Sequence, residues 1–100
     1  MLYYFAFTFD PSVYFVWVTM FAGATLIVAK PDAQVDLPYQ IHTLSAQHIT
    51  YAAFIPSVVA LLMDAYEGRF PASLALVGFG GEALSSEMAT TFLESNPTLR

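Results

Sequence analysis

The residues of this chain that could do chemistry are few. One group is the run Gly78-Phe79-Gly80-Gly81-Glu82-Ala83, which formally satisfies G-x-G-x-x-A between an apolar run and a helical pattern. Glycines in such a turn take positive φ and let a ligand approach the backbone, as a nucleotide-binding turn requires, and a tight turn that meets no ligand is the other reading. The second is Asp10, followed at once by Pro11. A carboxylate there can cap a helix, and with about four acceptor sites it can also face a ligand ammonium. Glu82 lies inside the glycine turn, where a solvent-facing carboxylate is the plain expectation. His42 and His48 stand six apart rather than four, and no carboxylate completes a metal set with them, so both read as structural. With no cysteine there is no thiolate ligand, disulfide or Cys nucleophile, and no serine sits in a G-x-S-x-G elbow. Ser57 and Ser85 read as helix caps, and Trp17 as core.

The elements that must hold these residues alternate. Asp10 and Pro11 open a helix that runs from about Ser12 to Phe21 and stops at Gly23. The β-branched run Thr25 to Ala29 then reads as a strand bounded by Lys30-Pro31-Asp32. Asp36 caps a second helix with Pro38 in its first turn and Leu37, Ile41, Leu44 and His48 on one face. A strand follows from Thr50 to Ile55, closed by Pro56. Ser57 then caps a helix whose buried stripe is Val58, Leu61, Leu62 and Ala65, ending at Glu67-Gly68-Arg69. The third strand, Leu74 to Val77, runs into the glycine turn. A last helix from near Ser85 turns Met88, Ala89, Phe92 and Leu93 inward and stops at Asn96-Pro97. This is an α/β pattern, a partial parallel sheet with crossover helices. Three strands and four helices would leave its outer edges unpaired. Ligands of such sheets bind beyond the carboxyl ends of the strands, which points to Lys30, Ile55-Pro56 and Gly78 to Ala83.

Bulk composition narrows the classes. Hydrophobic residues are 57% of the 100, aromatics 16% and charged residues 11%, against about 25% charged in an ordinary soluble domain. A chain this short leaves much of its area in water, so lipid or other polypeptide is expected to cover the excess. The expectation is an interior slice of something larger. The net charge of -5, with Lys30, Arg69 and Arg100 scattered, excludes a nucleic-acid partner. The apolar content excludes intrinsic disorder. The greasy start, Met1 to Phe7, lacks the basic region of a signal peptide. Residues 11 to 29 carry no charge, but Pro11, Gly23, Thr19 and Thr25 interrupt them and no basic flank precedes, so no membrane span is expected. Absence of cysteine suits a reducing compartment, and a cytoplasmic protein is expected.

Several segments then match one pattern together and in order. They are Phe9-Asp10-Pro11-Ser12-Val13 followed by an aromatic, Gly23 to Pro31, His48-Ile49-Thr50, Pro56-Ser57 and Gly80-Gly81-Glu82-Ala83-Leu84. From about Ala6 onward the chain resembles the adenylation domain of nonribosomal peptide synthetases, within the adenylate-forming, AMP-binding superfamily. The resemblance implies that residues 1–100 are a fragment of that enzyme's N-terminal domain, itself an incomplete AMP-binding domain. It implies an AMP-forming ligase that joins an amino acid to ATP, with Mg2+, and releases pyrophosphate. The acyl group would then pass to the phosphopantetheine thiol of a carrier domain, with carrier and condensation domains as partners. Carried over residue by residue, Asp10 would bind the substrate α-amino group. Pro11, Tyr14, Ala53, Gly78 and Gly80 would line the side-chain pocket, and the backbone of Gly81, Glu82 and Ala83 would pack against adenine. No residue is assigned a catalytic role.

The small residues at 53, 78 and 80 imply a roomy pocket with Tyr14 as its one large polar wall, hence a bulky or aromatic amino acid. The sequence departs from the family pattern at Phe15, where an acidic residue is common. The phosphate loop, the Tyr-Gly-Pro-Thr-Glu-like segment, the ribose-binding Asp and the catalytic Lys are not in these residues, so the chain alone is expected to be inactive. Two other fragment readings stand beside this one, and a membrane-embedded or purely structural protein is a further reading. An acyl-CoA synthetase fragment would have no ammonium for Asp10 to meet. A dinucleotide-binding piece of an oxidoreductase would rest on Gly78 to Ala83 alone, with too few residues after Ala83 to test for its ribose-binding acid.

Overall fold

The computed structural model describes residues 1–5 and 10–99 and, at residue 10, the backbone alone. The expected α/β alternation is present. Strand β1 (Leu2–Tyr3) leads to helix α1 (Asp10–Phe21) and strand β2 (Ile27–Val28). A short 3-10 turn (Ala33–Val35), helix α2 (Leu37–Ala46) and strand β3 (Tyr51–Phe54) follow. Helix α3 (Pro56–Ala65), strand β4 (Leu76–Phe79) and helix α4 (Ser86–Ser95) complete the order.

Sheet topology departs from the three-strand expectation. Four short strands form two parallel pairs, β1 with β2 and β3 with β4. The strand at Leu2–Tyr3 was not expected, because two residues are too few for a period-two signal. β1 runs beside β3, yet the ladder is not continuous between them. The Tyr4 hydroxyl donates instead to the Ala53 carbonyl, so a buried phenol occupies an acceptor that a strand amide would otherwise use.

Local chemistry sets the helix ends. α1 stops in a Schellman motif: Gly23 has φ 66, its N–H donates to Met20 O and the N–H of Ala24 to Thr19 O, each at 3.0 Å. α2 is capped as expected, with Asp36 Oδ1 accepting from the Tyr39 N–H at 3.0 Å. The other Asp36 oxygen pairs with Lys30 Nζ. That ammonium, with the Tyr39 N–H, holds the carboxyl below its ordinary range. α4 is capped by Ser85, whose Oγ accepts from the Met88 N–H at 3.1 Å.

The core joins Leu2, Leu44, Phe54, Val59, Leu62, Leu74, Val77 and Phe92. Four expectations about burial are corrected, the first in α4, which buries Phe92 but leaves Leu93 48% exposed. Trp17 is 56% exposed and stacks on Phe21, while α1 turns Ser12 and Thr19 inward. His48 lies past the end of α2 at φ 48 and is exposed, and Ile49 takes the buried position. α3 buries Pro56, Val59 and Leu62 rather than the stripe through Leu61 and Ala65, because its sequence is apolar on several sides and the period alone does not choose one. Among the described residues no helix is long and apolar enough to cross a membrane.

One buried amide ties α4 to the segment after α3. Asn96 Nδ2 donates to Gly68 O at 2.7 Å and to Phe92 O at 3.0 Å, and Asn96 Oδ1 accepts from the Phe70 N–H at 2.9 Å. Asn96→Ala should cost about 2–4 kcal/mol, at about 1 kcal/mol per bond plus the orphaned backbone groups. Urea unfolding of wild type and variant would check this; a midpoint that does not move would refute it.

Candidate functional site

The site forms where β3 and β4 end. Their register sets Ala53 beside Gly78 and Phe54 beside Phe79, and the N–H of Gly80 donates to Phe54 O at 3.2 Å, carrying the pairing one residue further. After β3, Ile55 is the N-cap of α3 but offers no side-chain bond, and Pro56 has no N–H to satisfy. The first donor needing a partner is therefore Ser57. Its N–H donates to Glu82 Oε2 at 3.1 Å and its Oγ to Glu82 Oε1 at 3.0 Å. The expected roles thus change: Ser57 is not the cap of α3, and Glu82, expected to face solvent alone, supplies the capping carboxylate from across the site. A carboxylate suits that position because the amino end of a helix carries partial positive charge. Gly81, at φ 82, gives the turn a left-handed conformation that brings Glu82 back over α3.

Between these ends lies a cavity of about 40 Å³, lined by Phe5, Pro11, Phe15, Ala53, Phe54, Ile55 and Gly80. Three expected pocket residues, Pro11, Ala53 and Gly80, thus meet around one space although α1, β3 and the glycine turn each supply one. The described lining carries no charged group. Tyr14 is 61% exposed and opens instead on a wider cavity of about 330 Å³, shared with Tyr51, Val18 and Leu76. The side chain of Asp10 lies outside the described residues; its backbone begins α1, immediately before Pro11. Gly81, Glu82 and Ala83 are all exposed, so the backbone of the turn is accessible to a flat ligand.

The two glycines expected at the pocket differ, and of the two only Gly80 lines the cavity. A Cβ on Gly80 would meet nothing within 4 Å, whereas one on Gly78 would lie 3.1 Å from Tyr51 Oη and 3.8 Å from Ala53 Cβ. The expectation of open room therefore holds at Gly80 and not at Gly78, where a second large polar ring, Tyr51, already stands, and at about 40 Å³ the described cavity is smaller than the roomy pocket expected for a bulky side chain. Burial pushes the Tyr51 phenol up in pKa, with the neighbouring Tyr14 adding to it. Sequence reading took Tyr51 only as a strand former. The signal that marks it is the period of two, which puts residues 51 and 53 on one face of β3.

Lys30 borders a separate opening of about 340 Å³ beyond β1 and β2. It is engaged with Asp36, and its Nζ lies 4.6 Å from the centre of the Tyr39 ring. Among the described residues no three His, Asp or Glu side chains gather to hold a metal ion. The glycine turn also lacks what a dinucleotide site needs. The helix after it opens only at Ser86, beyond Ala83, and the turn carries the Glu82 carboxylate where a pyrophosphate would seek helix N–H groups.

An exposed glycine turn thus stands beside a cavity walled by α1 and β3, and comparison with known proteins shows the family to which the chain belongs. The model of the family described as AMP-binding enzyme matches residues 1–99. The chain is 33% identical over 89 residues to tyrocidine synthase 3 of Brevibacillus parabrevis, a match covering 89% of the chain and 1% of that protein. It is 39% identical over 79 residues to phosphinothricin tripeptide synthetase PhsB of Streptomyces viridochromogenes, covering 77% of the chain and 6% of that protein. To vanchrobactin synthetase VabF of Vibrio anguillarum it is 31% identical over 87 residues, 81% of the chain and 3% of that protein. The chain belongs to the AMP-binding enzyme family. It spans between 1% and 6% of the length of these relatives.

The Glu82 contact is open to direct measurement. Glu82→Ala should speed hydrogen exchange of the Ser57 amide about fivefold, the effect of losing one bond of about 1 kcal/mol. An unchanged rate would show that the carboxylate does not hold that amide.

Proposed function

We propose that the chain is part of an adenylation domain that activates an amino acid for nonribosomal peptide synthesis. The observation that carries the reading is the meeting of Pro11, Ala53 and Gly80 around one cavity, beside the exposed backbone of Gly81 to Ala83. The names of the relatives, all synthases or synthetases and one of them a tripeptide synthetase, support it. A substrate carboxylate oxygen would attack the α-phosphorus of ATP and expel pyrophosphate. A carrier-domain thiol would then attack the acyl carbon and release AMP. Carrier and condensation domains are the implied partners, and the cytoplasm the implied location.

Within that reaction the chain's own residues bind and orient. Asp10 would set its carboxylate against the substrate ammonium and offset the cost of desolvating it. Pro11, Tyr14, Ala53, Gly78 and Gly80 would contact or border the side chain, in a site whose described lining is apolar. Gly81, Glu82 and Ala83 would present backbone to adenine, a surface that reads a flat base without charge. Glu82, engaged with Ser57, would hold this turn in place rather than touch a phosphate. ATP with Mg2+ supplies the leaving group, and no residue described in this chain forms a ligand set for the metal.

The test is amino-acid-dependent ATP–pyrophosphate exchange by the enzyme that contains this chain. One amino acid or a small set should support exchange, and Asp10→Ala should lower kcat/KM about 100-fold or more, as loss of a desolvated charge pair does. Exchange with a fatty or aryl acid, insensitive to Asp10→Ala, would instead identify an acyl-CoA synthetase. No exchange with any acid would overturn the adenylation reading. The 100 residues alone should show none above background; exchange by the isolated chain would refute that expectation.

A further inference from the structure

Resting on the adenylation reading, we propose that Tyr51 is a specificity-determining residue, whose ring fills the space beside Gly78 and divides the substrate pocket from the wider cavity behind it. Tyr51 and Ala53 project from the same face of β3, and the β3–β4 register sets Ala53 directly beside Gly78. The Tyr51 ring does not stand over its own partner Leu76 alone. It leans along the strand, so that its Oη lies 3.1 Å and its Cε2 3.6 Å from where a Cβ on Gly78 would be. Glycine at 78 is thus matched to tyrosine at 51: the residue without a side chain makes room for a ring from the neighbouring strand.

The same ring faces α1. Its centroid lies 6.2 Å from that of Phe15 at an interplanar angle of 61°, an edge-to-face contact. Phe15 lines the cavity of about 40 Å³ with Pro11, Ala53 and Gly80, while Tyr51 lines the one of about 330 Å³ with Tyr14. The Phe15–Tyr51 pair therefore stands between a small space and a large one. Forty cubic ångströms is little more than one water's share of liquid volume, about 30 Å³. Displacing or trimming Tyr51 would join the two. Its hydroxyl, with a pKa raised first by burial, stays protonated at neutral pH and can donate to a polar atom on a substrate side chain.

The test is pyrophosphate exchange with a panel of amino acids graded by side-chain size, using the whole enzyme. Tyr51→Ala should raise kcat/KM for the larger side chains relative to the preferred acid by about tenfold or more, the scale on which pocket size discriminates. Gly78→Ala should raise KM more than it lowers kcat, because the new methyl pushes the ring into the pocket. Tyr51→Phe in that background should restore KM, since removing Oη leaves the next ring atom at 3.6 Å. A structural role alone would lower activity for every acid in proportion and leave the ratios unmoved. Unchanged ratios in Tyr51→Ala, together with no rescue of Gly78→Ala by Tyr51→Phe, would overturn the proposal. Should Tyr51→Ala fail to fold, the Gly78→Ala pair decides by itself. Absence of exchange by the wild-type enzyme with every amino acid would mark failure of the adenylation reading, a result distinct from either of these.

Discussion

The register of β3 against β4 is the constraint on which the site depends. It places Ala53 opposite Gly78 and lets the pairing continue to Gly80, so that strand ends, cavity and glycine turn share one alignment. A slip by one residue would send Ala53 and Tyr51 to the other face of the sheet and bring Ala52 and Phe54, both core residues, into the pocket. Two contacts resist that slip. Phe54 is 1% exposed, with ring contacts to Tyr4 and Phe70, which fixes the carboxyl end of β3. Glu82, bonded twice to Ser57, fixes the turn that leaves β4 relative to the helix that leaves β3.

What could be read from the sequence follows from how local the determining forces are. Asp36 and Ser85 were legible as caps because a cap is decided within three residues. Gly23 was legible as a helix stop for the same reason. Alternation of strand and helix was legible because each run is longer than its period. The partner of Ser57 was not, since it lies 25 positions away. Nor was β1, whose two residues become a strand only by pairing with Ile27 and Val28. The pocket residues came from a family resemblance, not from spacing; the structure gathers Pro11, Ala53 and Gly80 but sets Tyr14 on the neighbouring cavity.

α1 shows where periodicity misleads. It is apolar nearly all round, so no stripe in its sequence marks an inside. The structure turns its two small hydroxyl residues, Ser12 and Thr19, inward and leaves Trp17 and Phe21 largely in the open. Thr19 manages this burial by donating to Phe15 O within its own helix at 2.7 Å. The low charge fraction thus appears at one identifiable place, as an aromatic flank on the helix that brings Pro11 to the cavity.

The bond from the Tyr4 hydroxyl to the Ala53 carbonyl has a reach beyond the two strands it joins. Ala53 turns its methyl toward the cavity and its oxygen toward β1, so the pocket wall is anchored from behind by a buried phenol. Burial pushes that phenol far up in pKa, and it keeps its proton in neutral and mildly alkaline water alike. The rear fastening of the wall is therefore indifferent to acidity over that range, and the alignment of Ala53 does not depend on acidity there.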